Sequence, residues 1–331
     1  MAEKTCVTLQ DVKEAAERIK PYIVRTPLLK GSDGLDEALG CKTYLKCENL
    51  QKTGAFKLRG ACSKFFSLTQ EEKDAGIITS SSGNHGKACA YLGKLIGCKS
   101  VVVLPDDSPM AKQNGIRALG AEVILADRLY DKRWAHVREQ VAEHGYTIIH
   151  AYEDYTVMAG QGTIALEILE DLPDVDTIIV PVGGGGLISG VATAAKAINP
   201  NIKIVGVQPK AADAYVKSRK AGEPVETECY PTIADGITAR RPGTNPWPII
   251  QELVDEMVSV SEEALHEAIR LVTWEAKLYA EPSSVSGVAA VLSKEYVPAP
   301  DEKVAFIVTS GNWDLDLYGK ILEGETVPGL T

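Results

Sequence analysis

The chain has 331 residues, 45% hydrophobic and 24% charged, with a formal net charge of −10 at pH 7. This is the ordinary balance of a globular protein, long enough for one large core or two smaller ones. The acidic balance argues against a nucleic-acid or anionic-membrane partner, both of which need a basic face, and no run approaches the roughly 18 apolar residues that span a bilayer.

In chain order, Thr8 stands three residues before Asp11 and Thr69 three before Glu72, both at capping-box spacing for a helix start. Apolar, β-rich runs then alternate with helical ones. The predicted strands are IITS (77–80), SVVVLP (100–105), EVILA (122–126), YTIIHA (146–151), DTIIVPV (176–182), KIVGVQ (203–208) and KVAFIVTS (303–310). HGKACAYLGKLIG, LISGVATAAKAI and the acidic-started run after Ser261 read as helices between them. Continuous apolar strands suit sheets covered on both faces, and the alternation predicts an α/β fold with largely parallel sheets. So many strands predict two sheets with a cleft between them. The expected division is a small domain at 76–153 and a large one built from 1–75 and 154–331.

The seven cysteines are odd in number and form no C-x-x-C, so neither a disulfide framework nor a zinc site is indicated. The N-terminus lacks an apolar leader segment. A reducing, cytoplasmic setting fits both facts.

Three stretches carry chemistry. In QKTGAFKLRGA, Lys57 lies between Phe56 and Leu58. Apolar surroundings disfavour an ammonium, and a neutral lysine amine is a nucleophile able to form a Schiff base. In PVGGGGLISG, Gly183, Gly184, Gly185 and Gly186 join a strand to a helix, the physical recipe for a phosphate cradle of backbone N–H groups. The spacing fits neither G-x-G-x-x-G nor a P-loop, which points to a phosphate on another kind of ligand. In SSSGNHGKA, Ser81, Ser82, Asn84 and His85 crowd polar groups at a helix start, more than a plain cap needs, as an anion site requires. One aldehyde for a lysine and one phosphate for a glycine cradle describe pyridoxal 5′-phosphate.

The motifs KCENLQKTGAFKLRGA, SSSGNHGKA, MAGQGTIALEI, PVGGGGLISG, TIADGI and EPSSVSGVAA resemble, in order and spacing, the fold-type II pyridoxal-phosphate enzymes, and within them the serine racemase and threonine dehydratase family. The resemblance covers nearly the whole chain. It implies a two-lobed, tryptophan synthase β-like α/β fold with helices on both faces of parallel-rich sheets and the active site between the lobes. Lys57 then holds the cofactor, Phe56 packs on its ring, and Asn84 bonds its phenolic oxygen. Gly183 to Gly186 with the Leu187 backbone hold the phosphate, and Thr309 sets a hydroxyl against the pyridine nitrogen. Ser81, Asn84 and His85 grip the substrate α-carboxylate. A hydroxyl at the pyridine nitrogen favours elimination or racemisation over transamination.

The same resemblance separates two activities. Ser82 stands where threonine dehydratases usually have alanine and serine racemases a serine, which makes it the candidate acid/base opposite Lys57. Arg133 falls where serine racemases carry an arginine facing the cleft, suited to a second carboxylate; Arg240 and Arg241 are weaker candidates. The expectation is a serine racemase/dehydratase acting on serine or threo-3-hydroxyaspartate. The alternative is a catabolic threonine/serine dehydratase with little racemase activity. Gln208 and Ala214 replace the carboxylates of the animal-type metal site, so no metal is expected there. Ser310 replaces a glycine of the usual Ser-Gly-Gly-Asn loop. No regulatory domain is expected after residue 314, and a homodimer is.

Overall fold

The structure, a computed structural model, describes residues 6–81, 83–106, 108, 110–127 and 129–329. Among these residues ten strands build two sheets. The strands are β1 (Leu28–Lys30), β2 (Lys42–Cys47), β3 (Ile77–Ser80), β4 (Ser100–Pro105), β5 (Glu122–Ala126), β6 (Thr147–Ile148), β7 (Thr177–Pro181), β8 (Lys203–Pro209), β9 (Glu256–Val260) and β10 (Lys303–Val308). The larger sheet runs β1-β2-β10-β7-β8-β9 and the smaller β5-β4-β3-β6. Only the β1–β2 pair is antiparallel.

β10 shows why the larger sheet reads as a continuous apolar run. Val304, Phe306 and Val308 enter one hydrophobic cluster, Ala305 and Ile307 the other, so the two-residue period of a strand feeds a core on each face. Ala305 pairs with Tyr44 of β2 on one side and Ile178 of β7 on the other. Both expected capping boxes form, at Thr8 with Asp11 and Thr69 with Glu72. Ser261 caps the helix Glu262–Ala276.

Three strands escape the sequence reading. β1 is short and largely exposed, β9 is an edge strand, and β2 carries Lys42 and Lys46, which disguise it. One prediction is too long: of 146–151 only Thr147 and Ile148 pair with β3. Just beyond, the His150 Nδ1 accepts the backbone N–H groups of Tyr152 (3.2 Å) and Glu153 (3.0 Å), a local turn that competes with the ladder. Cys41, Cys47, Cys62 and Cys89 are buried as small apolar residues, but Cys6 and Cys229 are exposed.

The carboxyl ends of β3, β4, β7 and β10 meet at one cleft, the usual place for a ligand in open parallel sheets. The lysine helix (Lys57–Phe65), the central helix (Tyr155–Asp171) and the cradle helix (Gly186–Ile198) lie side by side behind it, the central one packed against both others.

Candidate active site

The cleft holds a cavity of about 390 Å³. Its wall brings together Phe56, Lys57, Ser81, Asn84, His85, Arg133, Gly183, Gly184, Gly185, Gly186, Leu187 and Thr309. The site residues read from the sequence are thus in one place, except Arg240 and Arg241, which lie elsewhere, and Ser82, which lies outside the described residues.

Lys57 opens its helix because the preceding turn is pinned to the end of β10. Ala55 bridges Ser310, and the Phe56 N–H donates to the Thr309 carbonyl (3.0 Å). The Lys57 Nζ donates to the Ala151 carbonyl (3.2 Å) and lies 5.0 Å from the centre of the Phe56 ring. Burial pushes its pKa down from 10.5 to about 8, so a substantial share of the amine is neutral near pH 7.5.

The glycine run turns from β7 into the cradle helix. Gly185 has φ +96°, a left-handed conformation that a side chain would strain. The Tyr215 hydroxyl donates to the Gly184 carbonyl (2.9 Å) and accepts from the Gly243 N–H (3.0 Å), bracing the turn from behind. A Cβ on Gly184 would sit 2.4 Å from the Tyr152 ring, so that ring lies directly on the loop. The first N–H groups of the helix have no partner within it and can serve an anion.

Asn84 opens the helix Asn84–Ile96. Its amide nitrogen donates to both Glu281 oxygens (3.0 and 3.2 Å), and its oxygen accepts from Asn312 (2.8 Å). Glu281 is buried, which pushes its pKa up, and it also accepts the Asn312 backbone N–H (2.8 Å). Thr309 is oriented by Ser284, whose hydroxyl lies 2.8 Å from the Thr309 hydroxyl and accepts the Ser310 N–H (2.8 Å). The Ser284 hydroxyl also donates to the Ser310 carbonyl (2.9 Å), and the Ser310 hydroxyl lies 3.1 Å from it. Glu281, Ser284, Asn312 and Tyr152 were not among the residues read from the sequence. The signal for the first two was a carboxylate directly before Pro282 and a hydroxyl two residues after it.

The His85 ring already has a partner of its own. The ring is buried, and burial, with the Lys57 charge adding to it, pushes its pKa down to about 3. The neutral ring bonds the Ile149 carbonyl through Nε2 (2.9 Å), which places the proton there and leaves Nδ1 an acceptor. An acceptor cannot hold a carboxylate; the His85 backbone N–H, in the first turn of its helix, can. Arg133, on the helix Tyr130–His144, donates from Nε to the Ser80 hydroxyl (2.8 Å), and its guanidinium carbon lies 6.0 Å from the Tyr130 ring centre. Arg240 and Arg241 are exposed and do not line the cavity; Arg240 pairs with Glu226 at 3.1 Å. The Gln208 side-chain oxygen accepts the Tyr215 N–H (2.8 Å), capping the helix Ala214–Ala221.

The model of a family described as pyridoxal-phosphate dependent enzymes matches residues 19–310. L-threonine ammonia-lyase of Thermotoga maritima is 41% identical over 96% of this chain and 78% of its own. Serine racemase of Dictyostelium discoideum is 42% identical over 97% of this chain and 100% of its own. The solved structure of maize serine racemase superposes with a TM-score of 0.91 at 38% identity, covering 96% of this chain and 98% of that one.

The residues present fit pyridoxal phosphate. A side-chain-free loop at a helix start suits the phosphate, a lysine of lowered pKa suits the aldehyde, and the wall opposite offers a hydroxyl, Thr309, for the ring nitrogen.

Proposed function

Because the chain belongs to the pyridoxal-phosphate dependent enzyme family, we propose that it abstracts the α-proton of small hydroxy amino acids. The outcome is racemisation, β-elimination of water to a keto acid and ammonia, or both, with serine and threo-3-hydroxyaspartate as substrates. The observation that carries this reading is Lys57, an amine of pKa about 8 on the wall of a cavity that also presents two helix starts.

When bound, pyridoxal phosphate supplies an electron sink for the charge left at the substrate's α-carbon. The Gly183–Gly186 loop and the Leu187 N–H hold its phosphate, Phe56 its ring face, Asn84 its phenolic oxygen and Thr309 its ring nitrogen. Lys57 takes the α-proton as general base; its lowered pKa matches that task near neutral pH. Ser81, Asn84 and the His85 backbone N–H grip the α-carboxylate. Ser82 carries the proton on the opposite face. Arg133 receives a second carboxylate, which favours hydroxyaspartate. Residues 76–153 move as the small domain that closes on substrate. We place the protein in the cytoplasm as a homodimer. No helix among the described residues is long and apolar enough to cross a membrane.

A second reading, a catabolic threonine/serine dehydratase with little racemase activity, is favoured by Gln208, a neutral amide committed to capping a helix. A substrate panel separates the two. L-serine, D-serine, L-threonine and L-threo-3-hydroxyaspartate are each followed for keto acid and for the enantiomer. The first reading expects D-serine from L-serine, lost in Ser82→Ala while elimination persists, and a hydroxyaspartate preference lost in Arg133→Ala. Fast keto acid from threonine with no enantiomer overturns it in favour of the second.

A further inference from the structure

The central helix touches both the helix that carries Lys57 and the one that follows the glycine cradle. On one flank it meets the lysine helix: a Cβ at Gly160 would lie 2.6 Å from the Arg59 carbonyl oxygen and 2.8 Å from the Gly60 Cα. On the other it meets the cradle helix: a Cβ at Gly162 would lie 2.7 Å from the Gly190 carbonyl oxygen, and one at Gly190 only 2.1 Å from that of Met158. Apart from Ser63 Cβ at Gly160 (2.6 Å) and the Val12 side chain at Gly162 (2.8 Å), the obstacles are backbone atoms, which cannot step aside as a side chain changing rotamer does.

Charge locks the first flank as well. Arg59, two residues after Lys57, is fully buried. It grips Glu48 with two N–H groups (2.8 Å each) and Glu167 of the central helix with two more (2.7 and 2.8 Å). The Lys46 ammonium, also buried, reaches the same Glu167 (2.5 Å) and the Thr26 carbonyl (2.6 Å). Two cations and two carboxylates thus close a neutral, largely buried set in which only Glu167 is partly exposed, and such a set tolerates little displacement because each ion depends on the others. None of these groups lines the cavity.

We propose that the central helix is a spacer. Through Gly162 on one flank, and Gly160 with the Arg59–Glu167 clamp on the other, it fixes the distance from Lys57 to the glycine cradle. A ligand gripped at both ends is then bound at a single, set span. The proposal rests on the reading that Lys57 and the cradle hold opposite ends of pyridoxal phosphate. A ligand held at two points gains about 10²–10⁴ over one grip when the span matches, and loses that gain when it does not. Gly160, Gly162 and Arg59 act through the helices and are positioning residues.

The test compares pyridoxal, which has the aldehyde without the phosphate, with pyridoxal 5′-phosphate. Both are titrated into cofactor-free protein and read by the absorbance of the lysine-linked ring. In Gly162→Ala the helices must part by about 0.7 Å to relax the 2.7 Å approach to an ordinary 3.4 Å contact. Such a displacement spoils the match of span on which the two-point gain depends. The expected result is unchanged affinity for pyridoxal with the preference for the phosphate form reduced by roughly 10- to 100-fold, a partial loss of the two-point gain. A folded variant that keeps the wild-type preference, or loses both affinities together, overturns the spacer alone. A wild-type protein with no preference for the phosphate form overturns the cradle reading and the spacer with it. If Gly162→Ala does not fold, the wild type decides the matter with an analogue whose phosphate arm is one methylene longer. A set span predicts that this analogue binds no better than pyridoxal, and tight binding of it overturns the proposal.

Discussion

Lys57 is held where its charge is unwelcome, and this has a thermodynamic signature in cofactor-free protein. Its pKa falls from 10.5 to about 8 on folding, chiefly by desolvation. At about 1.36 kcal/mol per unit, the folded state is disfavoured by about 3 kcal/mol wherever the amine is charged in both states, that is, below pH 8. Between pH 8 and 10.5 the unfolded chain binds more protons than the folded one, so stability rises with pH across that window and the handicap is gone above it. Lys57→Met keeps the side-chain length and removes the charge. It also removes the hydrogen bond to Ala151, a pH-independent loss of about 1 kcal/mol. At pH 7 the variant is therefore expected to be about 2 kcal/mol more stable than the wild type, although it lacks the general base. Urea unfolding of both cofactor-free proteins from pH 7 to 10.5 measures this, because titrations common to the two cancel in the difference. The gap should shift by about 3 kcal/mol in favour of the wild type as pH rises. A difference that stays flat with pH refutes the reasoning, whatever its size.

Two further outcomes follow from buried partners. Arg59→Met leaves Glu48 buried without a cation and should lower unfolding stability by about 3–5 kcal/mol; adding Glu48→Gln should recover part of that loss, and a double variant no better than the single one contradicts the charge account. Tyr215→Phe strips the Gly184 carbonyl and the Gly243 N–H of a shared partner, at a cost of about 1–3 kcal/mol. Its stabilisation by inorganic phosphate in a thermal-shift titration should be weaker than that of the wild type, and an equal response removes Tyr215 as a brace of the cradle.

Much of the site is legible because its residues sit in short motifs with unusual chemistry. Lys57 stands out by its apolar neighbours, and Gly183 to Gly186 by being more glycine than a turn needs. Thr309 follows a strongly apolar strand. Glu281 and Ser284 do not stand out, because their importance comes from where β10 and the Asn84 helix place Thr309 and Asn84 beside them. His85 shows that residue type does not say which of its atoms face the ligand. Its type and position invite an anion-binding role, but the Ile149 carbonyl, brought close only by the fold, takes the one proton its ring carries. β2 is hidden for a related reason: Lys46 reads as solvent-facing until Glu167, far along the chain, meets it inside the protein. Residue type reveals local chemistry, whereas partnerships across the sheets decide which atoms are left for a ligand.

The place of β10 between β2 and β7 bears on how the protein is made. A ribosome delivers β2 and β7 well before the strand that separates them. Until it arrives, the nascent large sheet shows two open parallel edges, templates for pairing with another chain. The smaller sheet has no such wait, since all its strands lie between Ile77 and Ile148. The late strand also brings Thr309, whose carbonyl receives the Phe56 N–H and steadies the start of the lysine helix. A partly made chain therefore keeps its reactive amine unaligned, and chemical competence comes only when the large sheet is closed.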